Sequence, residues 1–369
     1  MNSVSNQDSK WMRRAIVLAR LSEGHTRPNP PVGAVVVKNG RKLGEGRHRR
    51  AGLAHAEVEA LDACRGSVKG ATLYVTLEPC CTQGRTPPCT ERILSAGIAR
   101  VVIGCQDPKI CHCGRGLEML AGRGVEVVCG VCEDEARELI LPFKKHVLTG
   151  MPFLSVKLAM TLDGRIADRK HQSKWITGAD ARDEVQRMRK RADAVMVGAG
   201  TVCADDPSLL CRLPDSDDLM RVIVDSAGRT PVTARVYTDN AAERTIVATT
   251  PRGAALKGKA WERCGVCVWP FAADSSGHVP LRKLMKKLGQ EGYLHVLCEG
   301  GGILAGGLND AGLVDEFALF YAPAVLGDVR AVSGVAGKGA LLSKMTKGKF
   351  VSVRHFGEDV LICFRPERF

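Results

Sequence analysis

Aromatic residues are scarce: Phe, Trp and Tyr make up 5% of the chain, too few for the stacking platforms on which single-stranded nucleic acid is held. Long apolar runs are missing too. No stretch reaches the roughly 18 consecutive apolar residues that cross a bilayer, and the segment from Met1 to Lys10 is polar, without the apolar core of a secretory signal. Complete disulfide pairing within one chain is excluded, because the cysteines number 15. Together these absences lead to the expectation of a cytoplasmic protein with mostly free thiols and no membrane partner. No repeat of fixed period is evident.

What is present points to more than one core. A chain of 369 residues that is 45% apolar has the length of roughly two domains. The formal net charge of +13 favours anionic partners, and charge alone does not choose between nucleic acid and a small phosphorylated molecule. The basic groups Arg47 to Arg50, Arg187 to Arg191 and Lys283 to Lys287 read mostly as solvated faces. Cys129-x-x-Cys132 and Cys264-x-x-Cys267 lie along apolar stretches, where small buried thiols are expected rather than a second zinc.

Chemistry concentrates between residues 55 and 89. His55-Ala56-Glu57, then Glu78-Pro79-Cys80-Cys81, then Pro87-Pro88-Cys89 offer one imidazole and two thiolates, the ligand set of a catalytic zinc whose fourth position is left for water. Bound zinc lowers the pKa of that water to about 7, and Glu57 is the carboxylate that relays its proton to a leaving amino group. Residues two apart on a helix point to nearly opposite sides, so His55 and Glu57 can share a site only where a helix begins. Cys89 is likewise expected at a helix start, before Thr90 to Leu94, where the positive helix end favours a thiolate.

H-x-E followed by P-C and a later Cys is the signature of zinc-dependent base deaminases. In the nucleic-acid deaminases the second Cys follows as P-C-x-x-C, whereas eight residues, Cys81 to Pro88, intervene here. With Gly84-Arg85-Thr86-Pro87-Pro88-Cys89, the stretch resembles the bifunctional pyrimidine deaminase/reductase family of riboflavin biosynthesis. The resemblance implies one zinc per chain on His55, Cys80 and Cys89, with Glu57 catalytic. It also implies pyrimidine contacts from Asn29 and His48, and contacts to the ribosyl phosphate end from Arg85 and Asp107. The chain departs from the family at Lys109, where an Asn is usual, at Cys81 and Gln83, where Ser and His are usual, and at Cys111-His112-Cys113. The Lys109 ammonium is expected to add a charge-assisted contact to the substrate phosphate.

The pattern of elements predicts an α/β protein of two domains, residues 1–149 and 150–369. The first opens with a helix from Trp11 to Leu21, a strand from Val32 to Val37 and a hairpin turn at Asn39-Gly40, then alternates strands (Leu73–Leu77, Arg100–Gly104, Val125–Val128) with helices, the last from Glu133 to Leu148. The second alternates strands at 153–158, 194–197, 221–224, 245–248, 266–269 and 294–297 with helices and closes in a hairpin at 350–363. Glu299-Gly300-Gly301-Gly302 and Gly198-Ala199-Gly200-Thr201 each follow a strand and are suited to backbone approach to a phosphate. Neither is the G-x-G-x-x-G dinucleotide fingerprint.

With Lys157-x-Ala159-x-Thr161-x-Asp163-Gly164, Trp175-Ile176-Thr177-Gly178 and Asp205-Asp206-Pro207, this half resembles the reductase of the same family. The resemblance implies a cytidine-deaminase-like three-layer domain followed by a dihydrofolate-reductase-like one. It implies NADPH contacts at Ala159, Trp175, Thr201, Asp205 and Gly300, Gly301 and Gly302, and substrate contacts at Ser173, Arg189, Leu209, Arg212 and Glu299. Arg189 and Arg212 suit a phosphate because a guanidinium binds it bidentately. The expected partner is a small phosphorylated pyrimidine, not nucleic acid, with a homo-oligomer left open. The competing readings are an RNA- or tRNA-base deaminase with a basic accessory domain, and a non-catalytic nucleotide-binding protein.

Overall fold

Apolar residues at i, i+3, i+4 and i+7 open the fold: helix α1 (Asn6–Arg20) buries Met12, Ala15, Ile16 and Ala19. The computed structural model describes residues 6–83, 87–110, 112–216 and 219–367, and the chain divides into two units, Met1–Gly150 and Met151–Phe369. Arg85 and Cys111 lie outside the described residues.

In the first unit, strands β1 (Gly33–Lys38) and β2 (Arg41–Arg47) form the antiparallel hairpin expected at Asn39-Gly40, where both turn residues have positive φ. With β3 (Thr72–Leu77), β4 (Arg100–Cys105) and β5 (Glu126–Cys129) they make a sheet of order β2-β1-β3-β4-β5, the last three strands parallel. Helices α2 (Ala56–Asp62), α3 (Cys89–Ser95) and α4 (Arg115–Ala121) cover one face. On the other face α1 is joined by α5 (Glu133–Leu139), giving three layers. The single helix expected from Glu133 breaks at Ile140 and restarts as α6 (Leu141–Thr149). Pro142 is the cause, since a proline ring is tolerated in the first turn of a helix and clashes in its interior.

One buried carboxylate ties α1 to the sheet. Asp8 accepts hydrogen bonds from Tyr74 Oη (2.9 Å) and from Arg100 Nη1 and Nη2 (2.7 and 3.1 Å), while Arg100 Nε donates to Glu126.

The second unit carries β6 (Phe153–Thr161), β7 (Arg165–Ala167), β8 (Ala194–Gly198), β9 (Met220–Val224), β10 (Thr245–Thr249), β11 (Cys267–Pro270), β12 (His295–Cys298), β13 (Glu316–Ala322), β14 (Val332–Ser333), β15 (Gly348–Phe356) and β16 (Asp359–Pro366). Its main sheet has the order β11-β10-β9-β8-β12-β6-β13-β16-β15, parallel as far as β13 and antiparallel at the closing hairpin. Strands β7 and β14 pair separately. Helices α7 (Ala179–Arg191), α8 (Ala199–Asp205), α9 (Arg235–Thr238), α10 (Pro251–Arg263), α11 (Leu281–Gln290) and α12 (Gly302–Asp310) connect the strands. Strand β13 has no counterpart in the sequence reading, although its run Phe317 to Ala322 has the apolar content of a central strand.

Within this sheet Arg221, on β9, is completely buried. Its guanidinium donates to Asp239 Oδ1 and Oδ2 (2.9 and 2.6 Å), to Thr245 Oγ1, and to the carbonyls of Ser208, Val236 and Ala241. On the same sheet burial pulls the His295 imidazole down to about 4, with Ser155 Oγ 2.9 Å from Nε2. A folded-state pKa depressed below the unfolded value contributes stability that is present above about 6.5 and lost as pH falls toward 4. Urea midpoints for reductive activity should therefore fall between pH 7 and pH 4, and His295→Gln should shrink the difference.

Among the described residues no helix is long and apolar enough to cross a membrane.

Candidate active sites

In the first unit His55 caps α2 from an extended conformation (φ −73°, ψ 162°), and Glu57 is the second residue of that helix, buried beneath it. The change of backbone geometry at residue 55 lets two side chains that a regular helix would separate meet at one place. Cys89 opens α3 after Pro88, and Cys80 follows β3. The ligand atoms of His55, Cys80 and Cys89 all lie within 4.8 Å of one another, the one such trio among the described residues.

The separations suit zinc. His55 Nδ1 lies 3.2 Å from Cys89 Sγ and 3.6 Å from Cys80 Sγ, against an N···S edge of about 3.6 Å for a tetrahedron with zinc–ligand bonds of about 2.1 and 2.3 Å. Hydrogen bonding from Cys89, then His55, draws the Cys80 thiol below the usual thiol range. Cys80 and burial push Cys89 up, as expected of two thiols close enough to share a proton. Hydrogen bonding to Cys80 raises His55. Burial, then Cys80, raises Glu57, which suits a group that must hold a proton and release it.

Asn29 and His48 sit beside this trio. His48 stacks edge-on against His55 with ring centroids 5.3 Å apart. Its Nδ1 is 3.0 Å from the Ala54 carbonyl and its Nε2 is 3.1 Å from Asn29 Nδ2. A carbonyl only accepts, so Nδ1 carries the proton and Nε2 accepts from the Asn29 amide, which leaves Asn29 Oδ1 for a substrate N–H. Burial lowers the His48 pKa, keeping the ring neutral.

Lys109 has a partner that its sequence neighbourhood does not announce. Its ammonium lies over the Phe143 ring, 5.3 Å from the centroid, because α6 brings that aromatic face to the loop, where a cation–π contact holds the charge. Lys109→Asn should accordingly leave the deaminase KM and its salt dependence unchanged within about twofold, whereas a phosphate contact would make KM rise and flatten with salt. Asp107 is buried; its Oδ1 accepts the Lys109 N–H at 2.8 Å. The Cys-x-x-Cys pairs differ from the expectation. Cys129 and Cys267 are exposed, each on an edge strand of its sheet.

The second unit contains a cavity of about 1430 Å³. Ala159, Ser173, Trp175, Arg189, Thr201, Asp205, Leu209, Glu299 and Gly300 to Gly302 all line it. Arg212 does not: it is exposed, and its backbone N–H is tied to Gln186 Oε1 at 2.9 Å. Ser173 Oγ donates to Asp205 Oδ1 at 2.7 Å. Trp175, 76% exposed, is held at φ 70° with Arg182 stacked 4.5 Å from its ring centroid. Leu209 also has positive φ, so strained backbone gathers at the cavity wall.

Arg189 already spends its Nε–Nη2 side on a carboxylate. It pairs with Glu299 through Nε (2.6 Å) and Nη2 (3.0 Å), and Nη1 donates to the Leu210 carbonyl. Burial favours the neutral carboxyl, yet the adjacent Arg189, then Lys157, keeps Glu299 below the usual range. Lys157 joins this group on the cavity wall, its pKa lowered by burial; it was legible only as part of a motif.

Gly300 packs where a Cβ would stand 2.6 Å from Val197 Cβ, and a Cβ at Gly302 would meet the Ser333 carbonyl. Gly301, at φ 58°, caps α12. The loop is therefore bare backbone at a helix start facing the cavity, a cradle suited to the phosphates of a dinucleotide.

Two architectures thus coincide with two sites. A cytidine and deoxycytidylate deaminase zinc-binding region matches residues 5–105, and a RibD C-terminal domain matches residues 152–362. The class is a bifunctional enzyme that joins a cytidine-deaminase-like unit to a dihydrofolate-reductase-like one. More particularly, the chain belongs to the RibD family of riboflavin biosynthesis proteins. It is 40% identical to a riboflavin biosynthesis protein RibD of Bacillus amyloliquefaciens over 97% of this chain and 96% of that one. The Escherichia coli RibD is 39% identical, with 96% and 98% covered. The solved RibD of Acinetobacter baumannii superposes with a TM-score of 0.86 at 37% identity, covering 98% of this chain and 99% of that one. A Thermotoga maritima enzyme described as a diaminohydroxyphosphoribosylaminopyrimidine deaminase/5-amino-6-(5-phosphoribosylamino)uracil reductase gives 0.85 at 37%, with the same coverage.

Proposed function

We propose that the chain deaminates diaminohydroxyphosphoribosylaminopyrimidine in its first unit and reduces the ribosyl group of the resulting 5-amino-6-(5-phosphoribosylamino)uracil to a ribityl chain with NADPH in its second. The observation that carries the first step is the convergence of His55, Cys80 and Cys89 beside the buried Glu57. A zinc ion held by those three ligands would supply the Lewis acidity that makes water a nucleophile near neutral pH. Glu57 is the carboxylate placed to take a proton from the attacking water and to pass it to the departing amino group. Asn29 Oδ1 accepts an N–H of the pyrimidine, and His48 fixes the orientation of that amide. Arg85 and Asp107 are assigned to the phosphate end.

For the second step, NADPH supplies the hydride. Gly300 to Gly302 and Thr201 cradle its phosphates, Trp175 and Ala159 lie along the cavity wall, and Asp205 holds its place through Ser173. Lys157, Arg189 and Glu299 form a charged group on the same wall, where the phosphorylated substrate enters. Near full-length similarity to RibD proteins and the long Cys80–Cys89 spacing support a small free pyrimidine over RNA as substrate. The domain division 1–149 and 150–369 is proposed to separate the two activities.

The test is one vessel holding substrate, NADPH and enzyme, followed for ammonia and for loss of NADPH absorbance. Both signals are expected from the pyrimidine, and ammonia from an RNA substrate alone would reverse the reading. Metal analysis should give one zinc per chain. A Cys80→Ser/Cys89→Ser double variant should carry none, and zinc retained there would move the metal elsewhere.

A further inference from the structure

We infer that Glu78 is a positioning residue for deamination, fixing Asp107, proposed for the phosphate end of the substrate, and the start of α4 against the chain that leads into Cys80. Glu78 leaves β3 two residues before Cys80 and is buried. Three backbone amides from one segment converge on its carboxylate. Oε2 accepts from Asp107 N–H (3.2 Å) and Gly114 N–H (3.0 Å), and Oε1 accepts from Gly116 N–H (2.9 Å). Its own N–H donates to the Cys105 carbonyl at 3.0 Å, so backbone and side chain both grip the strand end from which that segment departs.

The fit leaves no slack. A Cβ on Gly116 would stand 2.4 Å from the Pro79 carbonyl oxygen, so the start of α4 rests on the peptide leading into Cys80. At the far side, Thr82 Oγ1 lies 3.1 Å from His112 Nε2, and His112 Nδ1 lies 3.3 Å from Asp107 Oδ2. The chain from Glu78 to Thr82, which delivers a thiolate, is thereby joined at both ends to the segment that delivers Asp107. A buried acceptor shared by three amides sets the spacing between the two. Its loss strands the buried Asp107 and Gly116 N–H groups.

This inference rests on the deaminase reading of the first unit, and its test separates the two. Full-length Glu78→Gln keeps the side chain's size but replaces one accepting oxygen with a donor facing an N–H. Ammonia release from diaminohydroxyphosphoribosylaminopyrimidine should show KM raised about tenfold or more with kcat within about threefold, the pattern of lost ground-state positioning. Zinc should remain at one per chain, reduction of deaminated substrate should match the parent, and hydrogen exchange at Gly114 and Gly116 should speed up. His112→Ala, which loosens the other end, should raise KM in the same direction by less.

Faster exchange with KM unchanged would overturn the assignment, leaving Glu78 a prop for the loop alone. Zinc loss in Glu78→Gln would overturn it differently, by making Glu78 a support of the thiolate hairpin. Absence of ammonia from the parent protein would instead remove the deaminase reading.

Discussion

Glu57→Gln should slow ammonia release by about 10²- to 10⁴-fold, the range lost when a positioned proton carrier is removed. The variant keeps the size of the side chain and its place in the first turn of α2, so the protein should fold and bind one zinc. A neutral amide cannot accept the proton of water or return one to the amino group. Already deaminated substrate should still be reduced at the parent rate, because that chemistry uses the cavity of the second unit. Asp205→Asn should show the converse: weakened NADPH use, since the Ser173 hydrogen bond is compromised, with ammonia release intact. Assaying both variants with both substrates, alongside thermal unfolding, checks the pair. Full ammonia release from folded Glu57→Gln would sink the proposed proton route.

The second large effect is on stability. Asp239→Ala leaves the Arg221 guanidinium fully buried without its carboxylate, and removing one partner of a buried pair costs about 3–5 kcal/mol. Three carbonyls and Thr245 still accept from the cation, so its charge, more than its hydrogen bonding, goes uncompensated. At about 2–4 °C per kcal/mol for a unit of this size, the melting transition that tracks NADPH-dependent activity should fall by about 10 °C. Arg221→Met should fall less, because it removes the charge together with its need for a partner. A shift below about 2 °C in Asp239→Ala would show that water reaches the guanidinium.

The zinc trio was legible because its chemistry admits few residue types and because His55 and Glu57 demanded a helix start between them, which the backbone supplies at residue 55. Most strands of the two larger sheets were legible from their apolar runs, β2 from the turn before it, while β13 and the short β7 and β14 were not. Pairings were not. Arg189 read as a phosphate fork because nothing local in the sequence places Glu299, 110 residues later, against it. The Phe143 ring over Lys109 left no mark in the sequence because it reaches that side chain only through the packing of α6. Glu78 was visible merely as the letter before Pro79-Cys80, since its partners are backbone amides, which leave no trace in side-chain identity.

Surface thiols at the two sheet edges offer a ruler. Cys129 ends β5 in one unit and Cys267 begins β11 in the other, and both are exposed; Cys113 and Cys203 are the remaining exposed thiols among the described free cysteines. Replacing Cys113 and Cys203 with serine leaves one exposed thiol per unit among the described residues, each on regular strand backbone and outside the proposed sites, and zinc-loaded protein with Cys111 also replaced by serine would be used for labelling. A donor dye on one and an acceptor on the other would report the separation of the two units by energy transfer. Followed through turnover, that signal would tell whether the deaminated intermediate passes between units that approach each other or diffuses between units that stay put.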